Sequence, residues 1–276
     1  MMRPSGMHIS WGLAGASKCG DFLTRFALVF LATLAVSACD AIAPAQTEPL
    51  LVAAAASLEA AFSELGAAYT DQTGQAVEFV FGSSGNLATQ IQNGAPFDVY
   101  ASADEGFVDQ LAAQGYLLPD TEAIYAQGKL VLAVNIASGL QVESIEDLAD
   151  PRISRVAIAN PEVAPYGMAA QQALKASGLW EAVEPKIVQG ANVRQALQYV
   201  QTGDAPVGLV ALSIAAVPEV RYTVVDVALY GSLNQALAVV SNTDREHSAR
   251  SFADFVLGPE GQAILVKHGF ITPGSP

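Results

Sequence analysis

From residue 50 onward, short apolar runs alternate with stretches of helical spacing, and this alternation constrains the fold more than any other feature of the chain. Residues 50–55 are apolar throughout. Leu58, Phe62, Leu65 and Tyr69 then recur at helical intervals up to a Thr73-Gly74 stop. Further strand signals fall at 77–81, 99–102, 130–134, 156–159, 187–188, 207–211 and 236–240. Helical patterns lie between them, around Leu87 and Ile91, around Phe107 and Leu111, at 168–177 and at 193–201, with two more at 250–257 and 262–267. Repeated strand–helix–strand units predict an α/β fold of parallel sheets covered by helices. A length of 276 residues suits two lobes. Candidate crossings near 126–129 and 230–234 predict a discontinuous first lobe, 49–127 plus 234–276, and a second at 128–233. A cleft would separate them, and ligands of open α/β sheets bind beyond the carboxyl ends of the strands.

Four of the strand-to-helix junctions are built from small and hydroxyl residues. They are Ala55-Ala56-Ser57, Gly82-Ser83-Ser84-Gly85-Asn86, Ala164-Pro165-Tyr166-Gly167 and Gly190-Ala191-Asn192-Val193. Each places backbone N–H groups at a helix N-terminus, where an anion can be held without a counter-charge. Taken singly, each has an ordinary reading. Ser57 reads as a helix N-cap, and Ser83 and Ser84 as a flexible loop between glycines. Tyr166 reads as a packed aromatic, and Val193 as a first-turn core residue behind an Asn192 cap. Four such junctions in one α/β chain point instead to a shared anion site.

The charge balance sharpens this. Hydrophobic residues make up 51% of the chain, charged residues 14%, and the net charge is −14. Before Cys39 only Arg3, Lys18, Asp21 and Arg25 are charged, so the remainder is more acidic still. Nucleic acid is excluded as a partner, because phosphate neutralisation needs a basic surface. The apolar run at 26–36 follows Arg25, is too short to span a membrane, and ends in Val36-Ser37-Ala38-Cys39. This predicts a lipoprotein-type signal segment, 1–39, with Cys39 as the lipidated residue. Cleavage after Ala41-Ile42-Ala43 is the alternative. Residues 40–48 read as a tether. With only Cys19 and Cys39, no disulfide or cysteine metal site is expected in the mature part.

Catalytic signatures are absent from the sequence. No G-x-S-x-G elbow surrounds Ser57 or Ser84. The only histidines are His8, His247 and His268, and no phosphate-loop motif occurs. No His or Cys spacing suits a transition metal. Asp98 and Asp104 could pair for acid–base work, but their positions suit capping and bracing of the strand between them.

In order along the chain, Ala54-Ala55-Ala56-Ser57-Leu58, Ser83-Ser84-Gly85-Asn86-Leu87-Ala88, Gly94-Ala95-Pro96-Phe97-Asp98, Ser102-Ala103-Asp104, Asn160-Pro161-Glu162, Ala164-Pro165-Tyr166-Gly167, Asn192-Val193-Arg194-Gln195-Ala196-Leu197 and His268-Gly269-Phe270 form a series of motifs. Over nearly all of 50–273 the chain resembles the periplasmic molybdate-binding proteins of ABC importers (ModA-like). The resemblance implies a two-lobe periplasmic-binding-protein (type II) fold that captures molybdate or tungstate in the interlobe cleft and delivers it to an ABC permease. It further implies that Ser57 and Ser84 donate hydroxyl and backbone hydrogen bonds, and that Tyr166 and Val193 donate backbone N–H groups. Ala56 and Ala211 are secondary candidates. Molybdenum would be held as its oxyanion with no direct metal ligation, no cofactor and no catalysis. The protein would be a monomer, in the periplasm or anchored outside the cytoplasm through Cys39. Some family members carry a tyrosine where this chain has Ala211, so the Tyr166 hydroxyl is a candidate replacement. Sulfate or another tetrahedral oxyanion is the nearest alternative ligand. A Ser-dependent hydrolase and a partner-binding sensor are the readings from other classes.

Overall fold

The computed structural model describes residues 48–273. The signal segment with Cys39, and the tether apart from Glu48, lie outside the described residues. Strand β1 (Leu50–Ala55) is almost wholly buried, which is why its run of six apolar residues has no polar alternation. It lies between β2 (Val77–Gly82) and β3 (Val99–Ser102), parallel to both. A short 3₁₀ turn, Ala56–Leu58, leads from β1 into helix α1 (Glu59–Thr73), which ends on Gly74 in the left-handed conformation. Helix α2 (Ser84–Gln92) follows β2, and α3 (Glu105–Ala113) follows β3.

Two strands complete this first sheet. They are β4 (Ala123–Gly128) and the much later β10 (Leu233–Val239), giving the order β2-β1-β3-β10-β4. The second sheet has the order β7-β6-β8-β5-β9. Its strands are β5 (Leu130–Asn135), β6 (Val156–Ala159), β7 (Ile187–Gly190), β8 (Val207–Ala211) and β9 (Val220–Val224). Its helices are α4 (Pro165–Ala176), the one-turn α5 (Trp180–Val183), α6 (Val193–Thr202) and α7 (Leu212–Ala215). The C-terminal helices α8 (Glu246–Leu257) and α9 (Pro259–Lys267) follow β10. Lys129 alone separates β4 from β5, so the chain passes from one sheet to the other there, and it returns between β9 and β10.

The sheets are mixed, which corrects the parallel expectation. β10 runs antiparallel to β3 and β4, and β5 antiparallel to β8 and β9. The sequence reading also lacks β4 and β9. Both are edge strands, and their polar residues (Gln127 in one, Arg221 and Thr223 in the other) break the apolar signal. The larger buried cluster runs from Phe62, Leu65 and Phe252 to Leu132, Leu174 and Leu197. Phe62 packs edge-on to Phe79 and Phe252, with centroids 6.0 and 6.4 Å apart. A second cluster, around Leu87, Ile91, Tyr100 and Leu111, seats α2 and α3.

Candidate functional site

Because β1 and β2 are parallel, their carboxyl ends, Ala55 and Gly82, lie side by side, and the same holds for Ala159 of β6 and Gly190 of β7. The segments leaving those four ends meet around one small cavity. It is lined by Ala55, Ala56, Ser57, Gly82, Ser83, Ser84 and Ala103 from the first sheet, and by Ala164, Pro165, Tyr166, Asn192 and Val193 from the second. The cavity volume is about 10 Å³. Five sequence-predicted residues, Ala56, Ser57, Ser84, Tyr166 and Val193, therefore come together. Ala211 is not among the lining residues. It is fully buried at the end of β8, paired with Leu130.

Each wall is held by identifiable bonds. Ser84 Oγ accepts from the Ala103 backbone N–H at 3.0 Å, so its own proton is left to donate. The Ser84 carbonyl accepts from the Tyr100 hydroxyl at 2.9 Å. The Ser57 carbonyl accepts from Ser213 Oγ of α7 at 2.7 Å. Ser57 Oγ and Ser83 Oγ are buried without any protein partner. Ser57 does not cap α1, and no side chain caps α1, α2 or α4. Of the four helices that start at the cavity only α6 is capped, by Asn192 Oδ1 accepting from Gln195 N–H at 3.0 Å. Pro165 at the first turn of α4 has no N–H to offer, so donors there begin at Tyr166. Gly167 allows this helix end to press on β6, since a Cβ there would lie 2.3 Å from the Ala159 carbonyl oxygen.

The Tyr166 side chain runs from α4 to the crossing strands. Its hydroxyl accepts from Gln235 Nε2 at 3.2 Å, which leaves its proton free to donate. It lies close enough to the Ser57 hydroxyl to feel its dipole, but no bond of acceptable geometry joins them. Gln235 sits where the β10 register shifts against β4, and this bulge turns its amide inward. Its Oε1 faces the Tyr125 hydroxyl at 3.2 Å. Burial pushes the Tyr166 hydroxyl pKa well above 10 and does the same to Tyr125 and Tyr100, so all three stay neutral.

The lining contains no charged side chain. An anion there would meet N–H dipoles and hydroxyls only, with no carboxylate to repel it or to accept a proton from it. Wider depressions lie elsewhere and carry carboxylates: Glu162 and Glu184 in one, Glu219 in another, Asp98 and Asp244 in a third. Asp98 and Asp104 serve structure. Asp98 accepts from Leu51 N–H at 2.7 Å and pairs with Arg245 at 3.1 Å, while Asp104 caps α3 through Gly106 N–H. Burial raises the Asp104 pKa. His268 pairs with Glu64 at 2.8 Å, away from the cavity-lining residues. Among the described residues no group of three or more His, Cys, Asp and Glu could hold a metal ion.

Two five-stranded sheets, joined by crossing strands and meeting at an uncharged polar cavity, define an α/β solute-binding protein. The model for the bacterial extracellular solute-binding protein family matches residues 50–271. The molybdate-binding protein ModA of Rhodobacter capsulatus is 36% identical over 230 residues, covering 83% of this chain and 90% of the relative. The solved periplasmic molybdate-binding protein of Azotobacter vinelandii superposes with a TM-score of 0.75 at 33% identity, covering 81% of this chain and 99% of that one. The sulfate-binding protein SubI of Mycobacterium tuberculosis shares the fold, with a TM-score of 0.71 at 18% identity. The chain belongs to the bacterial extracellular solute-binding protein family, in its ModA branch. It is a binding protein and not an enzyme.

Ser83 lies in one of the four junctions but is not among the donors the sequence reading names, and Ala103 is the lining residue that falls outside all four junctions. The Gly82-Ser83-Ser84-Gly85 loop was visible, but nothing in it says which hydroxyl faces the cavity.

Proposed function

We propose that this protein captures molybdate, and tungstate as its near-isostere, outside the cytoplasm and delivers it to an ABC permease. The observation that carries this reading is a charge-free cavity at four helix N-termini holding two buried, unpartnered hydroxyls. Ser57 and Ser84 donate from one side, and the Tyr166 and Val193 N–H groups donate from the other. Molybdate near neutral pH has no proton to give, so it needs donors and no acceptor. Hydrogen phosphate usually carries a proton and calls for a carboxylate, and none lines the cavity. A hydrogen bond to a charged group contributes about 1.5–3 kcal/mol, and a helix terminus about 0.3–1 kcal/mol. Several converging donors then offset desolvation of the anion. A net of about 8–12 kcal/mol corresponds to micromolar to nanomolar binding.

The cavity is too tight for an ion to enter unless the loops part. The two crossings, at Lys129 and between β9 and β10, would serve as the hinge. Anchoring through Cys39 keeps the protein beside its permease, and Cys39→Ser should release it from the membrane fraction. Calorimetric titration of the mature protein with molybdate, tungstate, sulfate and phosphate tests the ligand. Tight sulfate or phosphate binding without molybdate binding overturns the reading. The Tyr166 hydroxyl stands in for the tyrosine that Ala211 replaces. Equal molybdate affinity in Tyr166→Phe would remove it from that role.

A further inference from the structure

We propose that the Ser83 hydroxyl is a direct contact to the bound oxyanion, a third side-chain donor beside Ser57 and Ser84. Ser83 holds the N-cap position of α2 with extended backbone, φ −73° and ψ 143°. A serine there ordinarily turns its oxygen onto the N–H of the second or third helical residue. Ser83 makes no such bond. The Gly85 N–H, in the first turn of α2, goes instead to the Val163 carbonyl, in the segment between β6 and α4, at 2.9 Å. Ser83 as a residue is 5% exposed, its hydroxyl is buried without a protein partner, and it lines the cavity.

A buried hydroxyl without a partner is costly, and alanine would fill this position without that cost. Ser84 is already held by its bond from Ala103 N–H. Ser83 has no such tie, so its O–H can swing onto whichever anion oxygen lies nearest. The two adjacent hydroxyls then divide the work: Ser84 is fixed and sets where the ion sits, and Ser83 adjusts to it.

This rests on the oxyanion reading of the cavity. The test compares the mature parent and Ser83→Ala by calorimetric titration with molybdate, tungstate and sulfate, and by thermal melting without any anion. The expected result is affinity weaker by about tenfold or more, with the anion-free melting temperature unchanged or raised. Affinity within about twofold of the parent overturns the proposal and leaves the molybdate reading standing. A lowered melting temperature with unchanged affinity makes Ser83 an ordinary cap, and overturns it too. If the parent binds sulfate and not molybdate, the molybdate reading falls and Ser83 is judged on sulfate. If the parent binds none of the three, both fall.

Discussion

At Ser57 the fold places a hydroxyl where packing alone would prefer a methyl group. Its carbonyl is held by Ser213, but its Oγ is buried and unpartnered. Ser57→Ala should weaken molybdate binding about tenfold or more, since a hydrogen bond to a charged group contributes about 1.5–3 kcal/mol. Stability in denaturant without ligand should stay level or rise by up to about 1 kcal/mol, a split that a packing role would reverse. Tyr166 leads to a pH prediction. Burial raises its hydroxyl pKa above the ordinary 10.0. A raised pKa keeps the proton on, so the neutral donor persists as pH climbs and would be lost only above 10. No other lining side chain titrates. Molybdate affinity should therefore be flat from about pH 6 to about pH 9, and a titratable step inside that range would show that a group outside the lining controls binding.

The elements show how the crossing strands and the site share parts. A Cβ on Gly128, the last residue of β4, would lie 2.1 Å from the Tyr166 hydroxyl oxygen and 2.6 Å from Gln235 Nε2. Gly128→Ala should cost about 1–3 kcal/mol by overpacking. Adding Tyr166→Phe should recover part of that, because the nearest clashing atom is gone. Full additivity of the two changes in chemical denaturation would separate Tyr166 from Gly128. Much of this was legible in advance. The buried runs of β1, β6 and β8 have no polar interruptions, so period and length identified them. Edge strands β4 and β9 lacked that signal, and strand direction within a sheet leaves no mark on periodicity. The site residues were legible as helix starts. Taken alone Ser57 reads as a cap, and only the set of four junctions moves it to the site, because a serine before a helix looks the same whether its oxygen bonds the helix or faces a cavity. Choosing Ser84 over Ser83 was likewise beyond spacing, since adjacent hydroxyls differ only in the direction each side chain takes.

At the scale of the whole molecule, the sign of the protein opposes the sign of its cargo. The net charge is −14, and the cavity offers neutral dipoles with no compensating cation among its lining residues. The nearest cation in sequence, Arg194, is turned to Glu59 at 3.5 Å, which cancels much of its field. On the proposed neutral-dipole reading, long-range attraction does not bring the anion in, and capture would depend on short-range donors that act only after contact. A steered binding protein slows as salt is added, because screening removes the attraction. Here screening removes a repulsion, and its range shrinks from about 30 Å at 0.01 M to about 8 Å at 0.15 M ionic strength. The molybdate association rate in stopped-flow should rise with ionic strength over that interval, with dissociation nearly unchanged because the bound ion is buried. A non-coordinating salt such as sodium perchlorate needs a parallel chloride series, to separate screening from competition for the cavity. An association rate that falls with salt in both series would mean that a local positive potential at the cleft mouth outweighs the acidic surface. The neutral-dipole account of capture would then have to be abandoned.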